Sequence, residues 1–144
     1  MTVINRSALV PYSAEDMFDL VDDIETYPQF LPWCKSTTIF VRDGSNVEAS
    51  IEMAKAGINK SFTTRNVSTD KRVIEMRLVE GPFQSLEGRW SFHSLDENAS
   101  KISLDIEFEF SNALLRMSVG PVFSQICNSL VNAFVNRAQE VYGR

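Results

Sequence analysis

Residues 101–110, KISLDIEFEF, alternate strictly: Ile102, Leu104, Ile106, Phe108 and Phe110 fall on one side, Ser103, Asp105, Glu107 and Glu109 on the other. A period of two predicts a strand with one buried and one wet face. The three carboxylates then form a solvated row, not a catalytic cluster. Matching inward sets are Val47, Ala49, Ile51 and Met53, then Ile74, Met76 and Leu78, then Leu86, Trp90 and Phe92. Turn signals at 43–46, 56–57, 68–70, 80–82 and 96–98 separate these runs and predict hairpin-connected antiparallel strands. TVINRSALV (2–10) reads as a further strand. A short helix follows it, with Ser13 as N-cap, Asp16 three residues on, and Met17, Leu20, Val21 and Ile24 facing inward.

Beyond Asn112, a good N-cap, the period lengthens to that of a helix running to about Tyr142, with Gly143 as the stop. Pro121 predicts a kink near Gly120. Projected at about 100° per residue, Phe123, Ile126, Cys127, Leu130, Val131, Phe134 and Val135 cover an arc of roughly 200°. A surface helix needs only about 100°. This one is expected to be wrapped on more than half its circumference, with Gln125, Ser129, Asn132 and Asn136 on its outer face. Arg137 projects between Ile126 and Leu130. It must be paired, reach water, or anchor a ligand head group at the mouth of a cavity.

Composition narrows the class. The chain has 144 residues, 44% hydrophobic and 23% charged, which suits a single domain, 1–144, with one core. Residues 117–136 carry no charge, but three serines, Pro121 and several amides make the stretch too polar to enter a bilayer. No signal-like segment opens the sequence, so the cytoplasm is the expected compartment. Cys34 and Cys127 then read as reduced, buried thiols. Net charge is −5, against DNA as a partner. It is uneven, however: residues 55–89 carry +3 and the rest −8, which admits a local basic face or a solvated sheet surface. His93, the single histidine, is placed on the outer face. No nucleophile–base pair, metal-ligand spacing or phosphate-cradling loop is present, so an enzyme is not expected and no cofactor is required.

Residues 27–34, YPQFLPWC, crowd three aromatics, a leucine and two prolines into eight positions. Pro28 and Pro32 predict a rigid, non-helical segment that presents Tyr27, Phe30, Leu31 and Trp33 as an apolar wall. That wall is either the lip of a cavity or a plug that completes the core. In GPFQSLEGRWSF (81–92), Phe83 starts a strand on which Gly88 shares a face with Trp90, leaving space for a ligand or for the long helix. Met53, Met76 and Met117 are placed inward, as adaptable lining or as gap-fillers.

Those two motifs, with the terminal NRAQEVYG, closely resemble the bacterial coenzyme-Q-binding START-like proteins of the SRPBCC, or helix-grip, superfamily, which include RatA-type ribosome-association toxins. The resemblance spans almost the whole chain. It implies an α+β helix-grip fold, in which a curved antiparallel sheet wraps a long C-terminal helix and two short helices follow the first strand. It implies that a hydrophobic small molecule, ubiquinone (coenzyme Q), binds between sheet and helix in support of respiration, with transient contact at a membrane surface. The expected ligand contacts are Tyr27, Phe30, Leu31, Trp33, Met53, Met76, Phe83, Trp90, Phe92, Phe108, Met117, Phe123, Ile126, Leu130, Phe134 and Arg137. The alternative is a toxin that binds the large ribosomal subunit and blocks subunit joining, through Lys55, Lys60, Arg65, Lys71, Arg72, Arg77 and Arg89. A cyclase-like enzyme is the minor alternative.

Overall fold

A computed structural model describes residues 1–143. The strands are β1 (Thr2–Val10), β2 (Cys34–Asp43), β3 (Asn46–Lys55), β4 (Ile58–Thr69), β5 (Val73–Glu80), β6 (Phe83–Asp96) and β7 (Ala99–Phe110). They form one sheet in the order β1-β7-β6-β5-β4-β3-β2, every neighbouring pair antiparallel. All five expected turns join consecutive strands. At 56–57 and 70–71 both turn residues have positive φ, the mirror-image geometry whose twist suits tight hairpins.

Between β1 and β2 lie α1 (Ala14–Asp22) and a 3₁₀ helix (Ile24–Gln29). The Ser13 hydroxyl accepts the Asp16 N–H at 3.1 Å, as the spacing predicts. Phe18, absent from the expected inner face, is buried beside Met17 and Val21, and its ring meets Phe92 at 5.7 Å. The YPQFLPWC segment departs from expectation at its start, because Tyr27 and Pro28 belong to the 3₁₀ helix. The segment is then pinned by backbone bonds from Leu31 N–H to the Tyr27 carbonyl and from Ala54 N–H to the Trp33 carbonyl.

After β7 come two helices in place of one kinked rod: α2 (Ala113–Ser118), capped by Asn112, and α3 (Gly120–Tyr142). The break falls at Val119, so Pro121 occupies the first turn of α3, where its missing N–H costs no helical bond. Residues expected on the wrapped arc of α3 are buried, namely Phe123, Ile126, Cys127, Val131 and Phe134, with Leu130 and Val135 partly so.

The sheet curves around α3. Asn128 of α3 accepts a bond from Arg6 of β1 at 2.9 Å, while Phe123 meets Phe62 of β4 at 5.8 Å. In a flat sheet those strands, four places apart, would be separated by about 19 Å, nearly twice a helix diameter. Register shifts in β2, β5 and β6 supply local bends. The carboxylates of β7 face away from the core, as the alternation requires, with Asp105 and Glu107 exposed.

Candidate ligand-binding site

Between the concave sheet and α3 lies a cavity of about 80 Å³. α3 contributes Phe123, Ile126, Cys127, Leu130 and Phe134; the segment after α1 contributes Ile24, Tyr27 and Trp33. The strands add Ala49, Ile51, Met76, Leu86, Trp90, Leu104 and Ile106, and β4 adds Phe62, Thr64 and Asn66. None of these side chains carries a charge at neutral pH. Burial pushes the Cys127 thiol up to about 12 and raises the Tyr27 phenol far above its ordinary range. The Tyr27 hydroxyl donates to the Val21 carbonyl, which ties the phenol down at the wall.

Eight expected contacts therefore line the cavity: Tyr27, Trp33, Met76, Trp90, Phe123, Ile126, Leu130 and Phe134. The other eight lie elsewhere. Phe83 and Phe108 pack with Phe62, Phe110 and Phe123 into a solid aromatic cluster at one end of the cavity, at centroid distances of 4.8–6.2 Å. Phe92 is sealed between Trp90 and Phe18. Met53 is buried opposite Cys34 on the neighbouring strand. Met117 is 75% exposed, because the break at Val119 frees α2 from the wrapped arc. Phe30 and Leu31 face an outer groove shared with Asn132 and Ala133 of α3, and Trp33 stands between that groove and the cavity. The segment is thus partly wall and partly packing. Arg137 is outside the cavity: it donates to the Gln29 amide oxygen at 3.2 Å and its guanidinium lies 5.0 Å from the centre of the Phe30 ring. A cation over an aromatic face needs no carboxylate partner.

The space expected beside Gly88 is occupied. A Cβ there would lie 2.6 Å from the terminal methyl of Met76, the cross-strand neighbour. Glycine lets that methyl lie flat on the sheet, at the floor of the cavity.

Sequence reasoning missed Phe62, Thr64 and Asn66. Alternation fades along β4, whose inward positions are Phe62, Thr64 and Asn66 opposite Ile51, Ala49 and Val47. The hairpin turn at 56–57 carried the signal: it sets the register, and the register sends those side chains inward. Thr64 is 7% exposed and its hydroxyl donates to the Asn66 amide oxygen at 2.9 Å.

The seven basic residues of 55–89 do not form one face. Arg65 pairs with Glu48 at 2.9 Å and Arg77 with Glu87 at 3.3 Å on the outer sheet; Lys71 pairs with Asp19 at 3.3 Å and Arg72 with Glu15 at 3.9 Å beside α1. Arg89 faces outward opposite Asp105, and Lys55 and Lys60 flank the β3–β4 turn. Strand alternation and acidic partners disperse the charge. His93 is exposed on the outer face. Among the described residues no group of three or more His, Cys, Asp or Glu side chains is placed to hold a metal ion.

Comparison with known proteins follows the same lines. The family model described as polyketide cyclase / dehydrase and lipid transport matches residues 10–135. A Vibrio cholerae protein named ribosome association toxin RatA is 46% identical over 99% of this chain and 99% of its own length. The coenzyme Q-binding protein COQ10 of Dictyostelium discoideum is 25% identical over 92% of this chain, which spans 66% of that protein. A START superfamily protein from Mycobacterium smegmatis superposes with a TM-score of 0.81 at 22% identity, covering 96% of this chain and 98% of that one.

Proposed function

The chain belongs to the polyketide cyclase/dehydrase and lipid transport family, and from that premise we propose that it is a non-catalytic carrier of a prenyl quinone, with ubiquinone as the ligand. The observation that carries this reading is the uncharged, mostly apolar cavity between sheet and α3. Burying five carbons of a prenyl tail is worth about 4 kcal/mol before association costs, so affinity needs few polar contacts. The cavity at about 80 Å³ is small beside the roughly 150 Å³ that admits benzene in an engineered apolar core. Loading therefore requires the wall to give. Met76, Phe62 and Leu130, all partly exposed, are the side chains suited to it. The expected contacts outside the wall, Phe30 and Leu31 included, would act by packing.

Exchange would take place at a membrane surface in the cytoplasm. Leu114 and Met117 of α2, each 75% exposed, are the most exposed of the large apolar side chains and are adjacent on one short helix, which suits them to that contact. No helix among the described residues is long and apolar enough to cross a membrane.

A second reading, association with the large ribosomal subunit, is favoured by the 46% identity to a protein bearing that name over the full chain. Lys55, Lys60 and Arg89, which make no ion pair among the described residues, are its best candidate contacts. The two activities are compatible in one molecule.

Mass spectrometry of a solvent extract from protein made in a quinone-producing host tests the first reading: one prenyl quinone per chain is expected. Absence of quinone, together with no rise in Tm on adding short-chain ubiquinone, refutes it. Co-sedimentation with large subunits at low salt tests the second, and loss of binding on charge reversal at Lys55, Lys60 and Arg89 is the expected result.

A further inference from the structure

Resting on the carrier reading, we infer that the ligand is divided between two hollows: the prenyl tail lies in the cavity, and the quinone ring lies outside it, in the groove between α3 and the segment after the 3₁₀ helix.

Capacity carries the argument. The cavity measures about 80 Å³, and a benzoquinone ring bearing methyl and methoxy groups is larger than the benzene that fills roughly 150 Å³. A prenyl tail is thin and flexible and can enter as single side chains give way; a rigid substituted ring cannot. The groove offers about 520 Å³ and takes the ring without rearranging the core. Trp33 lines both hollows, and among the described residues their walls share no other. Its backbone is fixed: the Trp33 carbonyl accepts the Ala54 N–H at 2.8 Å, and the Cys34 N–H beside it donates to the Leu31 carbonyl at 2.9 Å. The two spaces are therefore joined by rotation of one indole and not by the swing of a loop. A rotated indole admits a chain and still holds back a ring of similar size.

Polarity divides the same way. On the α3 side the groove wall carries Ser129, Asn132 and Asn136 at helical spacing, and Lys55 at the end of β3 completes it. Asn132 and Asn136 are exposed, and each carboxamide can donate to a ring oxygen. Glu140, one turn beyond Asn136, has nothing to donate to a carbonyl, so the ring contacts are Lys55, Asn132 and Asn136. In an open groove the ring oxygens keep water on their free side. Inside the core each would need a protein partner or bear the cost of lacking one.

Titration of isotope-labelled protein with two-isoprene ubiquinone, and with the prenyl alcohol of equal tail length, tests the inference by NMR and calorimetry together. Both compounds should bind, and only the quinone should move the side-chain amide signals of Asn132 and Asn136. Asn132→Ala/Asn136→Ala should lower quinone affinity about tenfold and leave that of the alcohol within about twofold. Both positions are exposed on a helix, so Tm should be no lower. Quinone binding with the two amide signals unmoved and affinity untouched by the double substitution puts the ring in the core, overturns the inference and leaves the carrier reading standing. An equal loss for both compounds also overturns it, because the groove would then be holding tail. Failure of both compounds to bind overturns the carrier reading and the inference with it.

Discussion

Gly88→Ala isolates ligand capacity from stability. The new methyl would meet the Met76 terminal methyl at 2.6 Å, whereas the next neighbours, Ile106 Cγ1 at 3.5 Å and the Asp105 carbonyl at 3.7 Å, are ordinary contacts. Only the end of a flexible side chain must move. Rotating it costs about 0.5–1.5 kcal/mol, and replacing a mid-strand glycine by alanine returns about 0.5–1 kcal/mol, so the fold should be left within about 1 kcal/mol of its starting stability. Gly88 and Trp90 face the cavity with Met76, so the displaced thioether has the cavity as its outlet. A ligand must then overpack the site, at about 1–3 kcal/mol, which lowers affinity roughly fivefold to more than a hundredfold. Urea denaturation and calorimetric titration with short-chain ubiquinone measure the two quantities on one sample. Gly88→Ala/Met76→Ala should restore binding, because the second change removes the obstruction. Unaltered affinity in the single variant, or a stability loss above 3 kcal/mol, refutes the reasoning.

Phe134→Ala should cost about 3–5 kcal/mol by urea denaturation, since the ring meets Tyr27, Phe30 and Trp90 at 5.3–5.5 Å and is almost fully buried. Cys34 and Cys127, with thiols pushed up to about 11 and about 12, should resist a thiol reagent at pH 8 in the folded protein and react on unfolding; rapid native labelling would contradict their burial. Asp22 has its carboxyl raised by burial, against the lowering effect of Arg42 at 3.3 Å. Folding thus disfavours its ionised form: the penalty is absent below the unfolded pKa, grows through the raised folded pKa, and is complete above it. Asp22→Asn should hold or raise stability at pH 7 and steepen the acid limb of the stability profile, because the penalty that Asp22 sheds on protonation no longer offsets the loss from other carboxylates, while Arg42 keeps Glu25 at 2.8 Å and the residue-22 carbonyl. A marked loss at pH 7 would show the ion pair to be the larger effect.

The fold was legible where periodicity was strong. β7 alternates without a break, and the 200° arc of α3 required a concave partner, which the sheet provides. Turn residues marked all five hairpins. The site was legible only where its residues were also large and apolar. Met117 was misplaced because Pro121 signals a kink within one continuous helix, whereas the chain divides at Val119 into two, and the arc projected for α3 does not extend to α2. Phe83, Phe92 and Phe108 face inward as expected, but facing inward does not distinguish lining a space from filling one. That distinction depends on which neighbour arrives first, as Met76 does at Gly88, and it is a property of three-dimensional packing.

The location of the empty space is itself informative. Aromatic clusters make each end solid: Phe62, Phe83, Phe108, Phe110 and Phe123 at one, Phe18 and Phe92 under α1 at the other. Between them the wall uses side chains poor at filling, a glycine-backed methionine, Ala49, and the Thr64–Asn66 pair on an inward strand face. At about 24 cal/mol per Å³, leaving 80 Å³ unfilled forgoes roughly 2 kcal/mol. Valine or leucine at Ala49, Thr64 or Asn66 would recover part of it with ordinary strand formers. A core shaped by stability alone has no reason to place polar residues and small ones together at its centre while packing both ends with phenylalanine. The same arrangement follows directly if the rigid ends exist to hold open a middle that another molecule completes.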